Sequence, residues 1–479
     1  MNKIRKFDTK VQHLKYKVLR EVARHAWDDT LIERMFDIPK TIIPGKEQTM
    51  RCCVYKERAI LTERVRIAIG GNSDNPNVIQ VIDIACDECP SSGYETGDAC
   101  RGCLAHRCME VCKMGAITLD SQQKAHIDKS KCVNCGQCAK ACPYNAIINR
   151  RRPCELSCKV KAISMDEKTF AAKIDNDKCI ACGACVYQCP FGAIMDKSFI
   201  IDVIDLIKKS ENNTKYNMVA VVAPAISSQF KFTTLGKVIK GIKMLGFNRI
   251  EEAALGADMV AFKESKELTE KGFLLSSCCP AFVSYTQKNF PQLAGHISDN
   301  LSPAATIAKH IKQQDKTAKV VFIGPCTAKK AEARKPEVRP YIDSVITFEE
   351  LQALFDSRDI DITEVEEEPL EGASYFGRIF GRSGGLTDAV RQGIYEHGAD
   401  FEYKPMTCNG IEECRTALMR KSKNALPANF VEGMACVEGC VGGAGCLTHS
   451  DRNRADVDRY GRDAMEKTKS ITQAVTDAK

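Results

Sequence analysis

The sequence contains little that would place the protein in a membrane or outside the cell. Its longest run without a charged residue, 179–195, has 17 residues, whereas a membrane-spanning helix needs about 20 apolar ones. Residues 1–25 are basic but interrupted by charge throughout, so they lack the apolar stretch of a secretion signal. We therefore expect a cytoplasmic protein that does not associate with membranes.

Aromatic residues are also scarce, at 7% with a single Trp, and no low-complexity tract is present. The 479 residues predict roughly three folding units at about 150 residues each, which excludes a small disulfide-stapled scaffold. The net charge is 69 − 62 = +7. Cysteines that bind metal do so as thiolates, and their negative charge would cancel such an excess, so we expect no nucleic-acid partner.

Cysteine, in contrast, is abundant, with 26 residues, of which 18 lie between positions 52 and 189. In a reducing compartment so many cysteines indicate metal or redox chemistry rather than disulfides. The adjacent pair Cys52 and Cys53 has no cysteine partners nearby and is interpreted as structural. Residues 1–80 otherwise form a charged region, with a helical pattern in VQHLKYKVLREV.

Two segments match the C-x2-C-x2-C-x3-C-P run that binds four-iron clusters. Tight turns at Gly136 and Gly183 suit this spacing, and a zinc site would need more widely separated cysteine pairs. A third segment is a looser version with Lys113 in place of Pro, and two half-motifs complete a fourth set. The cysteines are Cys132, Cys135, Cys138 and Cys142; Cys179, Cys182, Cys185 and Cys189; Cys100, Cys103, Cys108 and Cys112; and Cys86, Cys89, Cys154 and Cys158.

These 16 cysteines predict four [4Fe–4S] clusters in two ferredoxin units of two clusters each. In such units the fourth cysteine of one motif ligates the other cluster of the pair. The predicted ligand sets are Cys100, Cys103, Cys108 with Cys142; Cys132, Cys135, Cys138 with Cys112; Cys179, Cys182, Cys185 with Cys158; and Cys86, Cys89, Cys154 with Cys189.

Beyond residue 216, short apolar runs that end in Pro or Cys alternate with helical stretches, which predicts an α/β region. Three motifs in this region contain cysteine: SSCCPAF at 276–282, GPCTAKKAE at 324–332 and EGMACVEGCVGGAGC at 432–446. Each adjoins an apolar run and should lie on a loop at a sheet edge. One cysteine from each of the first two and two from the third would form one more four-thiolate site.

These motifs resemble those of the iron-only (FeFe) hydrogenases, T-S-C-C-P-x-W, M-P-C-x-x-K-x-x-E and E-x-M-x-C-x-x-G-C-x-x-G-G-G-Q-P. The resemblance implies an H-cluster, which is a [4Fe–4S] cubane joined to a two-iron subsite with CO, cyanide and a bridging dithiolate. It assigns the cubane to Cys279, Cys326, Cys436 and Cys440, with Cys440 bridging to the subsite.

The same resemblance assigns roles to residues around the subsite. Cys278 corresponds to the thiol that passes protons, Lys329 to the donor to an iron-bound cyanide, and Met434 to a residue that packs on the subsite. The remaining correspondences are Pro224 and Ala225 at the other cyanide, and Glu264, Glu267 and Ser298 on the proton path.

Several positions depart from the family patterns. Gly324 replaces Met, Phe282 replaces Trp, and Ala304 stands where the commonest members have Gln. The third motif ends in Ala444, Gly445 and Cys446 instead of GQP, and Cys408 and Cys414 correspond to no family role. Together these departures resemble the divergent group B members, which leaves direction, rate and oxygen tolerance open.

The resemblance implies an α/β two-lobed H-domain preceded by N-terminal α+β ferredoxin-like domains. The expected domains are residues 1–80 (N-terminal), 81–196 (ferredoxin-like), 197–216 (helix and linker) and 217–479 (catalytic). The expected activity is reversible formation of H2 from protons and electrons, with ferredoxin or a similar low-potential carrier and the H-cluster maturation proteins as partners. A hydrogen sensor, an iron–sulfur assembly factor of the same fold and a pure electron-transfer subunit are the alternatives.

Overall fold

The computed structural model describes residues 7–166, 168–465 and 470–478. Its N-terminal part is helical, and its first helix begins after Thr9. The Thr9 hydroxyl accepts a hydrogen bond from Gln12 N at 3.1 Å and the Gln12 side chain accepts one from Thr9 N at 3.2 Å, a capping box. The helix predicted here is confirmed. The helices are α1 (Lys10–Trp27), α2 (Leu31–Arg34), α3 (Ile38–Ile42) and α4 (Val54–Ala68).

The cysteine-rich part consists of short strands and one-turn helices. Its strands are β1 (Ile79–Val81), β2 (Gly93–Thr96), β3 (Ile117–Leu119), β4 (Ala125–Ile127), β5 (Ile147–Arg150), β6 (Ile163–Met165), β7 (Ala172–Ile174) and β8 (Ile194–Asp196). Its helices are a 3₁₀ turn (Asp83–Ala85), α5 (Arg107–Glu110), α6 (Gln137–Ala141), α7 (Pro153–Ser157) and α8 (Ala184–Gln188).

The antiparallel pairing of these strands is nested. The pair β1–β8 closes the outer unit, which also contains the hairpin β6–β7, while β2–β5 and β3–β4 form an inner unit. Gly136 and Gly183 have φ values of 77° and 75° immediately before α6 and α8. The two tight turns predicted at these glycines are therefore confirmed, because glycine adopts this conformation without steric cost.

The α/β part begins after α9 (Ile200–Lys209), the amphipathic helix that precedes it. Its strands are β9 (Met218–Val222), β10 (Arg249–Glu252), β11 (Leu274–Leu275), β12 (Lys319–Ile323), β13 (Ser344–Ile346), β14 (Pro405–Asn409) and β15 (Phe430–Met434). Its α-helices are α10 (Leu235–Met244), α11 (Ala253–Lys271), α12 (Pro280–Asn289), α13 (Pro303–Gln314), α14 (Thr327–Glu332), α15 (Phe348–Ser357), α16 (Tyr375–Ile379), α17 (Gly385–Glu396), α18 (Ile411–Ser422), α19 (Asn453–Arg462) and α20 (Ile471–Asp477), with 3₁₀ turns at Pro224–Ser228, Pro291–His296 and Cys440–Gly442.

Two parallel sheets divide the α/β part into two lobes. One sheet has the strand order β10-β9-β12-β13 and the other has the order β11-β15-β14. Strands β9 and β15 are buried along their whole length, as expected of parallel strands covered by helices on both faces. The α/β two-lobed fold with α+β ferredoxin-like domains ahead of it is thereby confirmed.

The hydrophobic core shows which parts are joined. One continuous core contains Leu19 of α1, Ile79 of the outer ferredoxin-like unit and Val221 of the first lobe. The inner ferredoxin-like unit has a small core of its own around Ile117 and Ile147. The outer unit and the N-terminal helix are therefore packed into the α/β part. No helix in the described ranges is both long and apolar enough to cross a membrane.

Candidate active site

All three cysteine motifs of the α/β part lie at the carboxyl ends of parallel strands. Cys278 and Cys279 follow β11, Cys326 follows β12, and Cys436 and Cys440 follow β15. Ligand sites in α/β folds form in the crevice outside the carboxyl ends of the strands. Here the strand ends of the two lobes contribute to one such crevice.

A cavity lies between these strand ends. Ala223 and Pro224 are among the described residues that line this cavity. Ala225 is fully buried and is not part of the lining. The sequence-predicted residues that line the cavity are Pro224, Cys278, Cys279, Cys326, Lys329, Met434, Cys436 and Cys440.

The four predicted cubane ligands influence one another electrostatically. Burial, together with the charges of Cys326 and Cys279, raises the pKa of the Cys440 thiol to about 12. The same causes, with Cys326 foremost among the neighbours, raise the pKa of Cys436. Free thiols at these positions would be protonated, so binding of a metal cluster has to displace their protons.

The donor set fits a cluster better than a single ion. Within the described ranges, no three His, Cys, Asp or Glu side chains converge closely enough to enclose one metal ion. A cubane, in contrast, is surrounded by four thiolates that each contact a different iron. Four cysteines around one cavity match that arrangement.

Lys329 provides a positive charge in the wall of the cavity. Its Nζ lies 2.7 Å from Glu332 Oε2, and both side chains are nearly buried. Burial alone would lower the pKa of Lys329, but the charge of Glu332, followed by Cys326, raises it above the usual value. The ammonium group therefore stays charged and suits an anionic ligand.

Cys278 lies at the inner end of a route of polar groups. It is buried, and burial followed by the charge of Glu264 raises the pKa of its thiol well above the usual value. Glu264 is fully buried in α11, and its pKa is raised to about 7, mainly by burial. The Glu264 Oε2 atom has no hydrogen-bond partner in the described part of the chain. A carboxyl group of this kind can both take up and release a proton near neutral pH.

The route continues from Glu264 to the surface. Ser298 contacts Glu264 and donates a hydrogen bond to Glu267 Oε2 at 2.7 Å. The Glu267 carboxylate is in turn 2.7 Å from Lys271 Nζ, whose side chain is 38% exposed. The structure thus brings the three predicted proton-path residues together, between Cys278 and solvent.

Sequence reasoning missed some residues around this route. Ser277 donates from Oγ to Glu264 at 3.2 Å, and Asn300 donates to Glu267 at 2.8 Å. Glu332 lies within the quoted second motif, so its pairing with Lys329 could have been anticipated from the three-residue helical spacing. Ser277 and Asn300 carry no comparable pattern.

The substituted motif positions fit their surroundings closely. A Cβ atom at Gly324 would lie 2.7 Å from the Phe322 ring, which lines the cavity, and one at Gly433 would lie 2.4 Å from the ring of Phe282. Ala304 also lines the cavity. Cys446 is buried, and its Sγ lies 3.4 Å from Val441 O.

The cysteines of the ferredoxin-like part show a fourfold repeat. A backbone N–H four residues later donates to the last cysteine of each motif, at 3.2 to 3.4 Å. In every case the donor is the alanine of an Ala-Ile pair. The repeat links Cys112, Cys142, Cys158 and Cys189, the four residues assigned as crossed ligands.

The outer unit brings together two cysteine groups. Burial, then the charges of Cys189, Glu155, Cys86 and Cys89, raise the pKa of Cys154 to about 12. The second group contains Cys158, Cys179, Cys182 and Cys185, where burial and the neighbouring thiols raise the pKa of Cys185.

The inner unit brings together the other two groups. Burial, together with the charges of Cys142 and Cys103, raises the pKa of Cys108. Burial, together with the charges of Cys132 and Cys135, raises the pKa of Cys138. Cys100 and Cys112 pack against the same small hydrophobic core.

Cys408 and Cys414 lie behind the wall of the cavity. Both are buried and their thiols are hydrogen-bonded to each other. Cys414 Sγ also donates to Met434 O at 3.6 Å. They support the strand that carries Met434.

Three protein-family models match this chain. Residues 216–444 match the iron only hydrogenase large subunit, C-terminal domain; residues 99–146 match a 4Fe-4S dicluster domain; and residues 172–195 match a 4Fe-4S binding domain. The matched ranges contain the strand-end motifs and most of the predicted cluster cysteines. The chain thus combines 4Fe-4S binding domains with a domain that matches the C-terminal domain of the iron-only hydrogenase large subunit.

Curated relatives fall into two groups. Iron hydrogenase 1 of Clostridium pasteurianum is 29% identical over 67% of this chain and 64% of its own length, and the periplasmic [Fe] hydrogenase large subunit of Nitratidesulfovibrio vulgaris is 28% identical over 68% and 87%. The cytosolic iron-sulfur assembly component 3 of Pongo abelii is 26% identical over 37% and 48%. Residues 216–444 therefore match the C-terminal domain of the iron-only hydrogenases, and the relatives of this chain include both hydrogenases and an iron–sulfur assembly protein.

Among solved structures, the apo [FeFe]-hydrogenase HydA1 from Chlamydomonas reinhardtii is 20% identical, with a TM-score of 0.47, over 57% of this chain and 93% of that one. Because both values are low, the functional argument rests on the site and on the sequence relatives.

Proposed function

We propose that the protein is an iron-only hydrogenase that catalyses 2H⁺ + 2e⁻ ⇌ H2. The observation that carries this proposal is the combination of Cys278 and Lys329 in the wall of the cavity that the four cysteines line. The cubane needs only the four cysteines Cys279, Cys326, Cys436 and Cys440. A thiol with a proton route behind it and a buried cation suit a second, anion-bearing group bound beside the cubane.

When bound, the H-cluster would supply the redox metal centre at which H2 is formed or split. The nearly buried Lys329 would hold an anionic ligand by a charge-assisted hydrogen bond. Cys278 exchanges a proton with the bound group, and Glu264 and Glu267, with Ser298 between them, carry the proton to and from solvent. Met434 and Pro224 close the apolar wall.

Electrons would reach the cubane through the cysteine groups of the ferredoxin-like part. We propose four accessory [4Fe–4S] clusters with the ligand sets given above. Cys182 belongs to the second outer group. It lies close enough to Cys279 for the charge of Cys279 to raise the pKa of the Cys182 thiol. This group would be the last in the relay, and ferredoxin or a similar low-potential carrier would supply or accept the electrons.

The assembly-factor relatives favour a second candidate function. In an assembly factor, the cubane cysteines would be kept without a need for the two-iron subsite. Cys278 and the route from Glu264 to the surface would then have no proton to carry, and Lys329 would serve only its ion pair with Glu332, which is why we favour the enzyme. A hydrogen sensor would keep all of these residues, and it differs from the enzyme in turnover alone.

The proposal is tested by loading purified protein anaerobically with a complete two-iron subsite and measuring H2 production from a reduced low-potential dye and H2 oxidation with an oxidised one. Cys279→Ala is the matched control, because it should remove the cubane and spare the accessory clusters. Activity in either direction that Cys279→Ala abolishes supports the enzyme. A fully loaded protein without turnover in either direction would instead favour the sensor.

A further inference from the structure

A network of buried charges joins the N-terminal helix to the other two parts of the molecule. Lys15 of α1 lies at its centre, with its Nζ 2.6 Å from Asp196 Oδ1 and 2.6 Å from Glu349 Oε2. These side chains are only 6%, 1% and 3% exposed. Asp196 ends the ferredoxin-like part at β8, and Glu349 is in α15 of the catalytic part.

The network continues to the helix that carries the second cysteine motif. Lys330 Nζ lies 2.7 Å from Asp196 Oδ2 and 2.8 Å from Glu350 Oε2, and the lysine is fully buried. Lys330 follows Lys329 directly in α14, and Cys326 immediately precedes that helix. Two cations and three carboxylates therefore hold the back of α14 while its other face lines the cavity.

The beginning of the same N-terminal segment contacts the third motif. Gln12 donates from Nε2 to Cys446 O at 3.0 Å, and Asp8 accepts from His449 N at 2.7 Å. The His449 ring packs on Tyr187 of α8, with 3.9 Å between ring centroids. Asp8, Gln12 and Lys15 thus contact the end of the third motif, the His449 that follows it, and the ferredoxin-like part at Asp196.

The surfaces held in this way form the passage between the relay and the cubane. Thr327, next to Cys326, donates from Oγ1 to Ala181 O at 2.7 Å, within the Cys179–Cys182 loop. A Cβ atom at Gly183 would lie 2.6 Å from the Ala444 Cβ. Electron tunnelling falls steeply with distance, so a small separation of these surfaces would slow the last step of the relay.

The use of buried charges points to specificity of position rather than to stability. Desolvation of five ionisable groups is costly, and apolar residues of similar size often stabilise a protein at least as well. Buried ions, however, accept only the arrangement in which each finds its partner. Burial alone would lower the pKa of Lys15, but the charges of Asp196 and Glu349 raise it above its usual value. The lysine therefore stays charged.

We propose that α1 is a strap and that Lys15 is a positioning residue, which fixes the gap between the cluster held by Cys158, Cys179, Cys182 and Cys185 and the cubane of the catalytic cavity. This inference rests on the cluster assignments of the proposed function, and it does not depend on H2 chemistry. It gives the N-terminal region, which carries no cysteine motif of its own, a task in electron transfer.

The test uses the full chain with its cubanes and without the two-iron subsite. Lys15→Met is compared with Lys10→Met, an exposed lysine of the same helix. After reduction, pulsed electron paramagnetic resonance measures the magnetic coupling between the last relay cluster and the cubane, and flash reduction measures electron transfer between them. We expect Lys15→Met to keep its iron content, to weaken and broaden the coupling, and to slow the transfer at least about tenfold, with Lys10→Met unchanged.

A second variant keeps the test decisive if Lys15→Met does not fold. Lys15→Gln with Glu349→Gln removes one charge of each sign and retains polar partners, and the same weakened coupling is expected. Unchanged coupling and transfer in a folded variant, even one that unfolds at lower temperature, would overturn the proposal, since Lys15 would then be merely structural. Loss of clusters from both variants would also overturn it, because the network would then serve assembly rather than spacing. The readout would be the same in a hydrogenase and in an assembly factor.

Discussion

Replacing Glu264 by Gln should make the protein more stable at neutral pH while it removes activity. The Glu264 carboxyl is fully buried, and this burial is the main reason that its pKa is raised to about 7 from the ordinary 4.5. A glutamine side chain is neutral and has the shape of the protonated acid. The variant therefore keeps the packing of α11 and loses only the ability to ionise.

The magnitude follows from proton linkage. The folded protein holds the Glu264 proton up to about pH 7, whereas the unfolded chain releases it near pH 4.5, so wild-type stability falls as pH rises between those values. A difference of about 2.5 pKa units, at about 1.4 kcal/mol each, corresponds to roughly 3 kcal/mol in the free energy of unfolding. Glu264→Gln should exceed the wild type by up to that amount above pH 7, and by less at pH 6.

The assay is anaerobic urea unfolding between pH 6 and 8.5, with Glu270→Gln as the control, because Glu270 is an exposed residue of the same helix. In the loaded enzyme, H2 turnover of Glu264→Gln should fall at least about 100-fold, the scale of a lost proton-transfer group. Unfolding midpoints that keep the wild-type pH dependence would refute the burial argument. Near-normal turnover would remove Glu264 from the proton route.

Three further predictions concern the thiol, the relay and the outer clusters. Cys278→Ser should abolish most turnover but keep the infrared bands of a loaded subsite, because a hydroxyl is far less acidic than a thiol of ordinary pKa about 8.5; normal turnover would exclude the thiol as a proton carrier. Cys86→Ala should lower the iron content by about 4 per chain, whereas Cys52→Ala should leave it unchanged, and loss of about 8 would contradict the ligand sets. Gly183→Ala should slow reduction of the cubane by the relay, while Gly115→Ala, at another positive-φ glycine with nothing within 4 Å of an added Cβ, should not; equal rates would show that the loop contact does not matter.

Local patterns in the sequence predicted much of the site. Cysteine spacing and the strand-ending runs predicted the turns at Gly136 and Gly183 and the loops that carry the cavity cysteines, because a short loop and a buried strand depend on neighbouring residues. The crossed cysteine sets could also be proposed, because the cysteine spacing recurs along the sequence. Their metal occupancy stays a prediction.

Contacts between distant charged residues could not be predicted in the same way. Lys15 stands in a charged segment and Lys330 in a motif with two adjacent lysines, so each would be assigned to solvent on composition alone. Their burial depends on Asp196 and Glu350, which are far away in the sequence. Pro224 lines the cavity as the resemblance implies, and the role of Ala225 stays a prediction.

The measurement that tests the central claim most directly is infrared spectroscopy of protein matured anaerobically together with the H-cluster maturation proteins. The account predicts bands of iron-bound CO and cyanide that disappear in Cys279→Ala, and cyanide bands that shift when Lys329 is replaced by Met. A protein that carries its full set of cubanes but shows no such bands, under conditions that load a known hydrogenase, would contradict the account and leave the assembly-factor function as the better one.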